Sequence, residues 1–390
     1  MAEITVEMVE STPNAGKAFS PRDFSMLIAL IAIWAFFAIA SPTFVSARNL
    51  SNLCVELSIT AVLALGMFVI ILPGQIDLAA GSGVGLFGGI AAVLVNKHDW
   101  PAPAALAAGL ALAIGLWALM GAFIVKEKIP AFIITLAGLL IFQGLHWRVI
   151  ESTTVPIQVG SDVNMFSMLT TWYLPPVAGL VLALLVILAL ARAEILNRRM
   201  RREGDLPVDP RDLSYSRVFV AAQIVLLFVI VANQHLGIPL PALILGAVAL
   251  IIYMLTQHTR FGRHLYAIGG NAEAAALSGI AVDRTVIGAF AIAGAIVGVT
   301  GFLQTAYVAN STNTVGEHME LDAIAACVIG GTSLRGGKGS VAGVLFGALI
   351  MVSLLNGMTL MAVEAWAKLI ARGVVLAAAV WMDVRMKRKT

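Results

Sequence analysis

Charge is scarce in this chain. Of 390 residues only 12% are Asp, Glu, Lys or Arg, while 59% are hydrophobic; soluble domains carry about 25% charged residues. A water-soluble fold of this length would lack the polar groups to cover its surface. That excludes a soluble enzyme, a nucleic-acid binder and a disordered chain. Cysteine is nearly absent too, and Cys54 and Cys327 lie in or beside apolar runs, so neither a disulfide framework nor a metal centre is expected. The six histidines, His98, His146, His235, His258, His264 and His318, show no metal-ligand spacing. They fall mostly near expected membrane–water boundaries, where solvated or capping roles suffice. No nucleophile–base pair stands out. A cleavable signal is not expected, because the polar stretch to Arg22 leads into an apolar span without a small-residue cleavage site. A phosphate loop is missing as well. Gly336-Gly337-Lys338-Gly339 has Thr332 where the first glycine is needed and Gly339 where Ser or Thr should follow the lysine. Gly83, Gly85 and Gly88 satisfy G-x-G-x-x-G, but inside an apolar span, where small residues serve helix packing instead. The expectation is no catalytic residue, no cofactor, no metal and no nucleotide site within the chain.

What the chain does have is long apolar runs, with a mean hydropathy of +0.93. About 20 apolar residues cross the bilayer core as a helix, since unpaired backbone groups cannot be left in lipid. Candidate spans fall at 23–41, 59–75, 78–95, 103–125, 130–150, 173–192, 218–235, 241–257, 285–309, 320–334, 340–356 and 363–382. Those at 59–75, 320–334 and 340–356 are short and glycine-rich and could each be half of a broken or re-entrant segment. The predicted fold is an all-α polytopic membrane protein with ten to twelve transmembrane helices, at least one of them broken.

The positive-inside rule sets the direction. With Lys17 and Arg22 inside, the inner loops hold Lys126, Lys128, the arginines from Arg192 to Arg217, Arg260, Arg263, Arg284, Arg335 and Lys338, and then the basic C-terminal tail. The outer loops hold only Arg48 and Lys97. Both termini are predicted to be cytoplasmic. The predicted order is a tail over 1–22, a first transmembrane half over 23–192, an arginine-rich solvated linker over 193–217, a second half over 218–383, and a basic tail over 384–390.

Three features stand out. Pro73-Gly74-Gln75-Ile76-Asp77 breaks a helix with a carboxylate at the break. Broken helices are tolerated where they line a cavity or are buried in protein, and transporters use them for substrate; Asp77 could equally cap the next helix. Gln75, Asp77, Ser82 and Asn356 are the candidates for a translocation pathway. Next, Glu320 and Asp322 are expected at an external helix start, ahead of the glycine-rich turn at 330–337. Gly85 and Gly89, and Gly339, Gly343 and Gly347, have small-residue spacing for close helix packing. Finally, the inner loop 258–284 holds helix formers from Ala272 to Ser278 between Gly269-Gly270 and Gly279, with Asn271 as cap and Glu273 in the first turn. This is a docking element presented to the cytoplasm. Glu364 and Lys368, four apart, are expected to neutralise each other.

At this loop the residues become recognisable. YAIGGNAEAAALSGI at 266–280 resembles the cytoplasmic coupling segment of ATP-binding-cassette (ABC) importer permeases. In it Tyr266, Gly269, Gly270, Asn271, Glu273, Ala274, Ala275 and Gly279 occupy the ATPase-coupling positions. GQIDLAAGS at 74–82 and ELDAIAACVIGGTSLRGGKGSVAGVLFGALI at 320–350 resemble the ribose/xylose/galactose branch. The stretch 355–383 and the insertion near 193–217 look most like D-xylose permeases. The family commonly has Ser-Val where this chain has Ala79-Ala80, so any hydroxyl contact there is missing. The resemblance, from about residue 45 onward, implies a homodimeric permease in the bacterial inner membrane. It would work with a periplasmic sugar-binding protein outside and a sugar-type ABC ATPase subunit inside, carrying a monosaccharide. Another pentose, a hexose or a polyol is the alternative substrate; an ion-coupled secondary transporter is the alternative class.

Overall fold

The computed structural model of the chain describes residues 21–158, 162–208 and 210–387. The first 20 residues of the tail expected over 1–22 and the last three residues of the basic C-terminal tail lie outside them. In chain order the helices are α1 (Pro21–Ala40), α2 (Ala47–Ile71), α3 (Ala80–Asn96), α4 (Ala102–Glu127), α5 (Ala131–Val149), α6 (Met165–Thr171), α7 (Pro176–Glu203) and α8 (Arg211–Asn233). They continue as α9 (Leu240–His258), α10 (Arg260–Gly270), α11 (Ala272–Leu277), α12 (Val282–Val308), α13 (Met319–Ile329), α14 (Val341–Leu360) and α15 (Ala365–Lys387). Four two-residue strands form antiparallel ribbons, β1 (Val155–Pro156) with β4 (Asn310–Ser311) and β2 (Tyr173–Leu174) with β3 (Ile238–Pro239). Among the described residues eight helices, α2, α4, α5, α7, α8, α9, α12 and α14, are long and apolar enough to cross a membrane. The protein is a polytopic helical membrane protein.

The structure redraws several expected spans. The span expected at 59–75 is a full-length helix that starts at Ala47. Asn49, Ser51, Glu56 and Ser58 read as aqueous in the sequence, but Asn49, Ser51 and Ser58 are buried, and Asn49, Glu56 and Ser58 hydrogen-bond within the protein. The span at 340–356 is likewise a complete helix, α14. The third short candidate is different. Helix α13 has 11 residues, about 16 Å of rise, and ends at Gly330-Gly331, so it covers only half a bilayer. The expected solvated linker at 193–217 is largely helical. Helix α7 runs to Glu203 because neither Gly nor Pro occurs between Leu180 and Gly204 and Leu, Arg and Glu are good helix formers; α8 resumes at Arg211, with Ser214 buried.

The core lies where α12 packs on α2, α3 and α4, with α13 and α14 closing around α2. In α2 and α12, 78% and 67% of the apolar window is buried, against 11% in each of α7 and α8. The α7–α8 hairpin is therefore peripheral, its outer faces left for lipid. The two ribbons gather the connections 150–158, 162–175, 234–239 and 309–318 at one end of the bundle. At the other end, segments 72–74, 259–281 and 330–340 converge. This second end carries Arg260, Arg263, Arg335 and Lys338.

Candidate functional site

At the basic end three backbones meet at a knot of glycines. The Gly337 N–H donates to the carbonyl of Leu72, the residue that caps α2, at 2.9 Å. Gly269 in the last turn of α10 lies so close that an added Cβ would sit 1.9 Å from the Leu72 oxygen and 2.3 Å from the Gly337 nitrogen. Gly336 and Gly337 both have positive φ, 86° and 73°, which only glycine adopts freely. Nearby, Gln257 donates to the Tyr266 hydroxyl at 3.1 Å, and that hydroxyl donates to the Gly339 carbonyl at 3.0 Å. Burial pushes the Tyr266 phenol above its ordinary pKa, so it remains a donor at physiological pH. Segment 258–284 is thus tied to the helix break after α2 and to the hairpin after α13.

Segment 258–284 holds more structure than the sequence shows. A second helix, α10, precedes the expected one, so Gly269 and Gly270 end a helix and are not flexible brackets. Asn271 caps α11 by accepting the Ala274 N–H at 3.0 Å. Gly279 turns the chain at φ 82°, with nothing within 4 Å of where a Cβ would sit. On α11, Ala275 faces inward and is buried, whereas Glu273 and Ala274 are exposed. The apolar tip is Leu277, 91% exposed, a residue the sequence reading passed over.

Beyond the break the chain runs extended through Ile76, whose carbonyl accepts from Thr135 Oγ1 at 3.2 Å. Asp77 is buried with both carboxylate oxygens engaged. Oδ1 accepts the Ala79 N–H at 2.8 Å and Oδ2 accepts the Trp117 indole N–H at 2.7 Å. The bond to Ala79 closes a turn just ahead of α3, whose N-cap is Ala79 itself with no side-chain cap bond. Asp77 therefore does not cap that helix as the sequence allowed; Trp117 adds a partner from α4. Asp77→Asn places an amide N–H against one of these two donors. Loss of one hydrogen bond to a charged group is expected to cost about 1.5–3 kcal/mol, read as a lower melting temperature of the purified protein with impaired uptake. Trp117→Phe should then add little to Asp77→Asn. Wild-type melting of Asp77→Asn combined with altered substrate affinity would instead place Asp77 in the pathway.

A cavity of about 130 Å³ opens where α3, α5 and segment 313–320 meet, lined by Ser82, Gln143, His146, Asn313, His318 and Glu320, among others. Of the four pathway candidates only Ser82 lines it. Gln75 lies at the break, and Asn356 sits in a separate chain of polar groups. There Asn49 donates to Asn356 Oδ1 at 3.0 Å, Asn356 donates to Glu56 at 3.1 Å, and Tyr307 donates to Glu56 at 2.9 Å. Glu320 and Asp322, expected at an external helix start, are buried in the first turn of α13, where the helix dipole favours carboxylates. Glu320 reaches α3 at Gly81, where an added Cβ would lie 1.9 Å from its Oε2. Asp322 pairs with Arg372 of α15 at 3.2 Å. His146, expected near a solvated boundary, is buried and bonded to Ser311 Oγ at 3.0 Å. Gly85 and Gly89 bring α3 against the His146 ring, and Gly343 and Gly347 bring α14 within contact of the Gly330 and Ala326 carbonyls. Gly339 belongs instead to the turn before α14, at φ 154°. Lys368 donates to Thr359, and Glu364 accepts from Trp366, so the expected Glu364–Lys368 pair gives way to nearer partners.

Comparison with known proteins agrees with this architecture. Residues 49–380 match the family described as "Branched-chain amino acid transport system / permease component". The chain is 39% identical over 376 residues to the xylose transport system permease protein XylH of Haemophilus influenzae, covering 96% of this chain and 99% of that one. It is 40% identical over 390 residues to the protein of the same name from Escherichia coli K12, with 98% of each chain covered. The ribose import permease protein RbsC of E. coli K12 is 32% identical over 357 residues, with 92% of each covered. No solved structure matches the chain.

Proposed function

The chain belongs to the branched-chain amino acid transport system / permease component family, and from that premise we propose that it is the membrane-spanning subunit of an ATP-binding-cassette importer for a monosaccharide, xylose before ribose. The observation that carries the substrate class is the cavity. A branched-chain amino acid asks for an apolar slot and fixed partners for an ammonium and a carboxylate. Here only Leu139 and Val315 are apolar, set among hydrogen-bonding groups from Ser82, Gln143, His146, Asn313 and Glu320, a mixture suited to the hydroxyls and ring of a sugar. The higher identity to the xylose permeases than to the ribose permease chooses between pentoses.

In this reading the basic end faces the cytoplasm of a bacterial inner membrane. A separate ABC ATPase seats on α11, through Glu273, Ala274 and Leu277. A sugar-binding protein docks at the ribbon end, and two copies of the chain form the working permease. Motion at α11 reaches the break at 72–79 through Tyr266 and the glycine knot.

The test is ATP hydrolysis by the reconstituted complex across a panel of sugars. Xylose is expected to stimulate most. Stimulation by a different sugar would reassign the substrate, and uptake driven by an ion gradient without the ATPase would overturn the class. Orientation has its own test in a cysteine-free background. His98→Cys is expected to react with an impermeant thiol reagent in intact cells and Glu127→Cys only after permeabilisation; the reverse pattern would invert the topology.

A further inference from the structure

The α7–α8 hairpin takes no part in the transport reading, yet it carries the densest charge in the chain. From Pro176 to Ala191 helix α7 has no charged residue; Arg192, Arg198, Arg199, Arg201 and Arg202 follow. At 1.5 Å per residue, Arg198 to Arg202 stand about 33–39 Å from the helix start. That is beyond roughly 30 Å of hydrocarbon and at the level of the headgroups. On α8, Arg211 and Arg217 precede an apolar run in the same way.

Where the two helices approach their turn they enclose a groove of about 410 Å³, lined by Arg198, Arg199, Arg202, Arg211, Glu203 and Tyr215, together with Ile195. Arg198 shapes it. This side chain is buried, donates to the Pro210 carbonyl at 3.4 Å, and lies 5.8 Å from the centre of the Tyr215 ring. Glu203 is matched by Arg199 at 2.8 Å. Arg202 and Arg211 carry no ion pair among the described residues, so the groove presents uncompensated guanidinium groups.

We propose that this groove binds the phosphate of an anionic phospholipid of the cytoplasmic leaflet. Guanidinium groups bind phosphate oxygens in a bidentate fork. The helix surfaces below the groove decide for a lipid over a free phosphate. Leu184, Leu188 and Phe219 are all more than half exposed. Spacings of 14 residues from Leu184 to Arg198 and from Leu188 to Arg202, and of four from Tyr215 to Phe219, put them on the groove side of the two helices, where the acyl chains of a bound lipid would run. A basic pocket at the cytoplasmic ends of membrane helices is a recurrent headgroup site, because that leaflet is negative. The inference rests on membrane insertion and orientation alone, not on the sugar.

The purified full-length chain, delipidated in neutral detergent, is titrated with phosphatidylglycerol or phosphatidylcholine, and bound lipid is counted by native mass spectrometry. Preference for phosphatidylglycerol is expected. Arg202→Gln with Arg211→Gln should weaken it by about fivefold per arginine, or about 30-fold together, with part of the affinity restored by lysine at both positions. Both side chains are exposed, and an unchanged melting temperature of the variant confirms that the fold is kept. Equal binding of the two lipids, or undiminished phosphatidylglycerol binding by the double variant, would overturn the proposal. So would displacement of the lipid by inorganic phosphate alone, which would mark a free-phosphate site.

Discussion

Gly269→Ala is expected to stop sugar uptake while Gly270→Ala leaves it near the wild-type rate. The two positions are neighbours at the end of one helix, and alanine is a better helix former than glycine at both. Their surroundings differ. A methyl at 269 would lie 1.9 Å from the Leu72 carbonyl oxygen and 2.3 Å from the Gly337 nitrogen, whereas nothing lies within 4 Å of one at 270. Both neighbours at 269 are backbone atoms, joined to each other by the hydrogen bond that holds the hairpin to the end of α2. Overpacking costs about 1–3 kcal/mol, and the upper end applies because no side chain can rotate away. About 3 kcal/mol is roughly a hundredfold in an equilibrium, enough to hold the knot open and separate the docking loop from the break. The measurement is uptake at matched membrane expression, with co-purification of the ATPase alongside. Equal uptake by the two variants would show that force does not pass through this contact.

Leu277→Asp is expected to release the ATPase from the complex without disturbing the permease. At 91% exposure Leu277 contributes almost no burial to its own chain, so stability should be unchanged. A large apolar side chain held at the tip of a capped helix is the kind of group that anchors an interface, where truncation of such a residue costs about 2 kcal/mol or more. A carboxylate there adds desolvation, and association should fall by at least about 30-fold. Ala275→Arg is the contrasting variant. Its side chain would have to enter the packed side of α11, where Ala275 is 5% exposed, so it should damage the fold as well as the coupling. Co-purification of the ATPase with Leu277→Asp at wild-type yield would remove α11 as the docking site.

Local signals in the sequence marked the places where helices stop. Pro73-Gly74, Gly330-Gly331 and Gly279 each end or turn an element, because proline lacks an N–H and glycine accepts positive φ. The Asn271 cap was legible for the same reason, a short polar side chain ahead of helix formers. Polar residues inside apolar runs were less legible. Asn49 and Glu56 read as loop, and α2 lost its first turns, since a hydropathy pattern cannot show that a partner 300 residues away will satisfy them. The burial of His146 and Glu320 was hidden by the same blindness, and both line the cavity.

Composition was enough to establish a helical membrane protein, and the distribution of Lys and Arg gave an expected orientation. Those properties follow from the transfer of each residue between water and lipid, which depends on the residue and its immediate neighbours. Which groups hold Asp77, which face of α11 is free, and what α13 packs against were decided only by tertiary structure. Each depends on which distant groups arrive alongside. Trp117, 40 residues on, occupies one Asp77 oxygen; Gly81 leaves the space that the Glu320 carboxylate fills; and packing turns Ala275 inward and Leu277 out. Such pairings arise from the close approach of backbones at glycine, and they exist only once the helices have packed.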